Sequence, residues 1–247
     1  MNAAMTAVLA LPVLTFAALF ALERSLAAVR TDVRYSHADH LLNLAGLAIQ
    51  GAAVPAAGYL IATKVLATQF PGAAGALAIG WWGAFALNFV LVDFLYYWQH
   101  RLFHRLPTLW ALHQCHHASP ALSVWATSRN SLAINFLFVY LLVNPVFSFL
   151  CDRPEGFFAG AAVTASLDLW RHSRLPESWS VTWLRAVLIT PTHHHYHHSP
   201  NGEARNFGAN LVWWDRLFGT EHTPRGYPAV YGTARAPSPW RQFLFPW

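Results

Sequence analysis

Residues 3–22 (AAMTAVLALPVLTFAALFAL) run for twenty positions without a charge. About 20 apolar residues in a helix cross the hydrocarbon core of a bilayer. Backbone that faces lipid has to satisfy its own polar groups, and a helix does so. The run therefore reads as a membrane anchor. A secretory signal peptide is the competing reading, but no positive segment precedes the run and no clear A-x-A site follows it. Further apolar stretches lie at 41–66, 77–98 and 131–150, with a shorter one at 156–170. The last is only 15 residues long, which fits a tilted span, a re-entrant helix or a buried helix.

Composition agrees. Charged residues make up 11% of the 247 positions and hydrophobic ones 55%, where a soluble domain carries about 25% charged residues. That excludes a disordered chain and argues against an ordinary soluble globule. Two cysteines, Cys115 and Cys151, are too few for a disulfide framework or a four-thiolate metal site. The net charge is +5, but the arginines are scattered between apolar runs; nucleic acid is not an expected partner. Arginine placement instead orients the chain. With the N-terminus outside, the loop 23–40 (Arg24, Arg30, Arg34), the block 100–130 and the tail 171–247 face the cytoplasm. The connections left outside, 67–76 and 151–155, carry one arginine, Arg153, and no lysine. The expected fold is all-α, a polytopic membrane helix bundle of about four spans plus a short helix, with a cytosolic His-rich lobe.

Histidine is the second unusual feature. Ten of the fourteen histidines fall in two windows, 100–117 and 193–198, and five of the six residues 193–198 are histidine. His100 and His104 stand four apart, on one face of a helix. His113, His116 and His117 supply the i, i+3 and i+4 positions of one stripe, and His194, His197 and His198 repeat that spacing. Burying so many imidazoles at a membrane border is costly without partners, and a metal supplies them. Imidazole suits Fe, Zn, Cu and Ni, and the boxes hold neither thiolate clusters nor carboxylate pairs. Seven or more histidines exceed one four-coordinate ion, so two metals are expected. Asp93, seven residues before His100, is placed to accept a hydrogen bond from a ligand's second nitrogen.

The order His-x3-His, His-x2-His-His, a lone mid-chain histidine, then His-x2-His-His resembles the fatty acid hydroxylase / sterol desaturase superfamily of integral-membrane di-iron enzymes. The flanks share the resemblance: Asp93 and Tyr97-Trp98 before His100, Leu109-Trp110 before His113, and Thr190-Pro191 before the third box. Asn206-Phe207-Gly208 and the run from Trp214 to Thr220 follow it. The likeness covers roughly 85–222. It implies metal ligands His100, His104, His113, His116, His117, His172, His194, His197 and His198. Asp93, Asp215, His193 and His195 would support them from behind, with exposure as the alternative for His193 and His195 and a pairing with Arg216 as the alternative for Asp215. No catalytic residue beyond the ligands is assigned. The resemblance further implies two Fe ions per chain, replaceable by Zn in purified protein, with O2, a lipid substrate and an external electron donor. Neither a G-x-G-x-x-G fingerprint nor a haem-binding domain is evident. The expected domains are N-terminal transmembrane helices at 1–84, the di-metal catalytic region at 85–222 and a C-terminal tail at 223–247. After His117 the sequence Ala118-Ser119-Pro120-Ala121-Leu122-Ser123 departs from the superfamily's Ser-Ser stretch and Asn, while Thr127 and Arg129 keep its Thr and Arg. Those changes bear on the substrate, which stays open among sterol, fatty acyl and related lipids, as does hydroxylation against desaturation.

Rival readings are a zinc hydrolase, a histidine-liganded metal transporter, and a metal- or lipid-binding relative without catalysis. No HExxH with its general-base Glu exists in the chain. A transporter would place its ligands within the spans, near the midplane, whereas these boxes lie in polar segments. The remaining histidines, His37, His40 and His222, read as solvated or surface residues, and Cys115 as small packing.

Overall fold

The computed structural model describes residues 3–26, 34–176, 183–200, 204–223, 225–233 and 236–244. Its regular elements are helices, and among these residues only two isolated bridges, Leu77 to Cys151 and Leu188 to Leu211, have β pairing. Of the loop arginines used above for orientation, Arg30 lies outside the described residues.

Helix α1 (Ala3–Ser25) lies along α6 (Pro154–His172). Its Leu9, Val13 and Leu14 stay exposed, as a lipid-facing surface would. Helix α2 (His37–Gln69) is continuous over 33 residues. It starts at a capping box in which Ser36 and Asp39 satisfy each other's backbone N–H groups, and it widens into π turns at Ile49–Ala53 and Ile61–Leu66. Helix α3 covers residues 80–105; the Asp152 carboxylate accepts from the Ile79 and Gly80 N–H groups at its start. Leu106 is extended, the conformation a following proline favours, and Pro107 opens α4 (Pro107–His117), which folds back against α3. Helix α5 is the apolar segment Ala133–Leu150. Helix α7 (Pro191–His197) is short and sits against α6.

Among the described residues three helices are long and apolar enough to cross a membrane: Met5–Ser25, His37–Gln69 and Ala133–Leu150. The expected span at 77–98 is helical from Gly80 on, but it buries Asn88 and Asp93 and is not one of the three. The short run at 156–170 is the middle of the 19-residue helix α6, packed between α1 and α3. Small residues permit that packing: a Cβ on Gly156 would lie 2.1 Å from the Trp81 carbonyl oxygen, and one on Gly160 would lie 2.9 Å from Asn88 Cβ. Gly46 of α2 likewise admits the Ser128 carbonyl, which a Cβ would meet at 2.0 Å. Segments 225–233 and 236–244 lie against the bundle, with the Phe243 carbonyl accepting from Leu132 N and the Tyr227 hydroxyl donating to the Leu175 carbonyl.

Candidate metal centre

The sharp turn at Leu106-Pro107 faces the last two turns of α3 toward α4, so His100 and His104 meet His113, His116 and His117. Helix α6 ends on His172, and α7, capped by Thr190, brings His194 and His197, with His198 as its C-cap. The nine rings form two groups. His100, His104, His113, His117 and His197 make one; His116, His172, His194 and His198 make the other. In each, one nitrogen per ring lies within 4.8 Å of all the others. The groups adjoin, with His117 and His198 stacked at 4.2 Å between them.

Hydrogen bonds at the back of the rings fix which nitrogen points inward. His100 Nδ1 donates to the Phe207 carbonyl at 2.9 Å and His197 Nδ1 to that of Arg205 at 2.7 Å. His116 Nδ1 donates to Arg129 O at 3.0 Å and His172 Nδ1 to Asp168 O at 2.7 Å. A carbonyl only accepts, so these Nδ1 atoms carry the proton and a neutral ring leaves Nε2 as a bare lone pair. Burial keeps the rings neutral: it pushes His116 down to about 3 and His197 to about 4, and His100, His104, His113, His117, His194 and His198 well below the ordinary histidine value.

Inward Nε2 atoms therefore face one another. The separations are 3.1 Å for His100–His113, 3.2 Å for His113–His117, 3.3 Å for His116–His172, 3.0 Å for His172–His194 and 3.2 Å for His194–His198. His104 Nε2 and His197 Nε2 are buried without any hydrogen-bond partner. Between His116 and His172 both rings already donate from Nδ1, so two bare lone pairs oppose, and they repel unless a cation sits between them. With a metal–nitrogen bond of about 2.1 Å, neighbouring imidazoles on one ion lie about 3.0–3.4 Å apart. The residues present thus fit metal ions.

The supporting residues differ in part from expectation. Asp93 is buried, but its carboxylate reaches no histidine ring. It accepts from Asn210 N at 2.8 Å, Leu211 N at 3.0 Å and Trp214 Nε1 at 2.8 Å. The segment 206–214 covers that face of α3, and its free N–H groups take the carboxylate. Asp215, also buried, does not pair with Arg216, which binds Glu221. It accepts from Phe207 N, Gly208 N and Thr220 Oγ1. Both carboxylates therefore hold the segment whose Phe207 carbonyl orients His100. Burial pushes the Asp215 carboxyl above its usual range.

His193 and His195 are fully buried, not exposed, and belong to neither group. His193 Nδ1 accepts from Thr190 N and meets the Thr190 hydroxyl, closing the cap of α7. His195 bridges the Tyr231 hydroxyl, at 2.6 Å, to the His172 carbonyl, at 3.2 Å. Two further side chains support the rings, Asp168, which the sequence reading missed, and Arg129, which it noted only as a residue shared with the superfamily. Asp168 lies one helical turn before His172, and its Oδ1 is 3.1 Å from His172 Nδ1. Arg129, 1% exposed, ties Asp39 to the Cys115 carbonyl while its own carbonyl takes His116.

A family model for fatty acid hydroxylase matches residues 85–220, more than half of the chain. The chain belongs to the fatty acid hydroxylase family. All nine grouped histidines, Asp93, Asp168 and Asp215 fall inside the family region. The chain is 33% identical over 154 residues to an alkylglycerol monooxygenase of Xenopus tropicalis, a stretch covering 62% of this chain and 32% of that protein. It is 34% identical over 141 residues to an ornithine lipid hydroxylase of Rhizobium tropici, covering 56% and 41%. A fatty acid hydroxylase of Lecanicillium is 26% identical over 160 residues, covering 58% and 44%. The chain thus spans less than half the length of these curated relatives. No solved structure matches it.

Proposed function

We propose that this chain is an O2-dependent, di-iron membrane oxygenase that hydroxylates, or desaturates, a C–H bond of a lipid. The observation that carries this reading is the set of inward ring nitrogens, with Nε2 atoms 3.0–3.3 Å apart, in two adjoining groups. His100, His104, His113, His117 and His197 would hold one ion, and His116, His172, His194 and His198 the other. Zn would fill the same positions in protein purified without iron. Bound iron supplies the O2 activation and one-electron redox chemistry that an unactivated C–H bond requires and that side-chain acids and bases lack. For hydroxylation, one oxygen atom of O2 enters the C–H bond and the other becomes water, using two electrons and two protons.

The chain's own groups orient and enclose. The carbonyls of Phe207, Arg129, Asp168 and Arg205 lock four imidazoles in one tautomer, and Asp93 and Asp215 hold the segment bearing the first of these carbonyls. Burial of the rings excludes water from the site. Electrons come from an external donor. A lipid substrate follows from the names of the relatives, which act on an alkylglycerol, an ornithine lipid and a fatty acid. In this reading the chain is multi-pass with the histidines on the cytoplasmic face, residues 1–84 are the N-terminal transmembrane helices, 85–222 the catalytic region and 223–247 the tail. A transporter is disfavoured because, of the nine grouped histidines, none lies on the three candidate spans.

The test is metal content per chain by mass spectrometry after iron-supplemented, anaerobic purification. Close to two Fe is expected, with loss on His116→Ala or His197→Ala and with lipid turnover lost in parallel. Full metal and full turnover in both variants would overturn the proposal.

A further inference from the structure

Segment 225–233 lies beyond the family region, which ends at residue 220, and it meets the chain where α6 ends on His172. Three contacts join them. The Tyr227 hydroxyl donates to the Leu175 carbonyl. The Arg174 guanidinium lies over the Tyr231 ring, 5.9 Å from its centroid, within reach of a cation–π attraction. The Tyr231 hydroxyl stands 2.6 Å from His195 Nδ1, and His195 Nε2 stands 3.2 Å from the His172 carbonyl oxygen.

The proton positions in this last contact follow from the groups involved. A carbonyl only accepts, so His195 Nε2 carries the hydrogen and donates to His172 O. Burial keeps the ring neutral, which leaves Nδ1 as a bare acceptor for the Tyr231 O–H. The last carbonyls of a helix have no partner within it, and here a residue of α7 supplies one. His195 adjoins His194, whose Nε2 is 3.0 Å from that of His172. Behind that ring, His194 Nδ1 has no hydrogen-bond partner among the described residues. The spacing of the two rings is therefore set by how α7 sits on α6, and the His195–His172 bond joins those helices.

We propose that Tyr231 is a positioning residue for the second histidine group: it fixes the ring of His195, which holds the His172 backbone at the spacing from His194 that a shared metal ion requires. Segment 225–233 is then part of the metal centre. This deepens, and rests on, the reading of the grouped histidines as metal ligands. Without the Tyr231 hydroxyl, His195 is free to turn from the His172 carbonyl, and the metal-free site has to order itself on binding, at a cost in affinity. The five-histidine group holds no residue of α6, so Tyr231 bears on one site and not on both.

The full chain, stripped of metal and titrated with Zn2+ against a chromophoric chelator, reads the two sites separately, and the site lost in His172→Ala identifies the second group. Tyr231→Phe keeps the ring and removes the donor. The second site should weaken by about three- to tenfold, the value of one neutral hydrogen bond, while the first holds within about twofold. His195→Leu breaks the same connection at its middle and should weaken the same site by at least as much. Tyr227→Phe is the control: it loses a hydrogen bond to the neighbouring Leu175 carbonyl, so the melting temperature should fall with both Zn2+ affinities kept within about twofold. A merely structural role for the segment would move Tyr227→Phe and Tyr231→Phe alike. Unchanged second-site affinity in Tyr231→Phe and His195→Leu, weakening of both sites together, or equal weakening in Tyr227→Phe would overturn the proposal. A wild-type chain that binds no Zn2+ would sink the metal-ligand reading and this proposal with it.

Discussion

Asp215→Asn separates the two histidine groups. Asp215 Oδ1 accepts from Phe207 N at 2.8 Å and Thr220 Oγ1 at 2.7 Å, and Oδ2 accepts from Gly208 N at 2.8 Å. An asparagine keeps one acceptor; its NH2 must face an N–H that needs an acceptor. At least one hydrogen bond to a charged group is lost, at about 1.5–3 kcal/mol. Relief of the buried charge offsets part of this, since burial already raises the Asp215 carboxyl. A net loss of about 2 kcal/mol would leave the fold intact, against a typical total of about 5–15 kcal/mol. The Phe207 carbonyl, however, loses its anchor, and it orients His100, a member of the five-histidine group alone. Loss of such support weakens metal affinity about 10–100-fold. Titrating metal-free protein with Zn2+ against a chromophoric chelator resolves the two sites. One site should weaken by that factor while the other stays within about twofold. Equal weakening of both sites, or of neither, would refute the reasoning.

Acid should destabilise the metal-free protein. Ten buried histidines, the eight grouped ones named above with His193 and His195, have folded values below their unfolded 6.5. The unfolded chain therefore takes up protons first, and stability present above 6.5 is lost as pH falls below it. Each group contributes about 1.4 kcal/mol per pH unit, so Tm should drop steeply between pH 6.5 and 5, and a flat Tm would contradict neutral burial. Gly46→Ala places a Cβ 2.0 Å from the Ser128 carbonyl oxygen. α2 must then shift, at about 1–3 kcal/mol or more, and an unchanged melting temperature would show the contact is not as tight as described. His193→Ala should cost about 1 kcal/mol through the lost cap and keep the iron, whereas His194→Ala should lose it; equal iron loss would mean the ligand register of α7 is shifted.

The helical fold and the histidine spacing were legible because both are periodic properties of side chains. The division of labour within each box was not. His113, His116 and His117 read as one stripe, yet His116 joins one group and its neighbours the other. On a helix, adjacent residues project about 100° apart, so a helix aimed between two centres feeds both, and only the third dimension shows where it is aimed. Asp168 could have been found, standing four residues before His172 on the same helix. The acceptors on Phe207, Arg129 and Arg205 could not, because a backbone carbonyl is common to every residue. Asp93 shows the converse failure. Its spacing was right for a histidine, but a segment more than a hundred residues later supplies its hydrogen-bond donors.

Both groups draw on the short helix Pro191–His197 and its cap, yet the first histidine of the set is at position 100. At a synthesis rate of about 5–20 residues per second, the interval between the first box and the last is on the order of 5–20 s. Throughout it, His100, His104, His113, His116 and His117 have emerged without their counterparts. All three candidate spans, ending at Leu150, precede that moment. Neither histidine group can therefore be complete until that last helix has been made, and the imidazoles of the first two boxes stand as an open row until then.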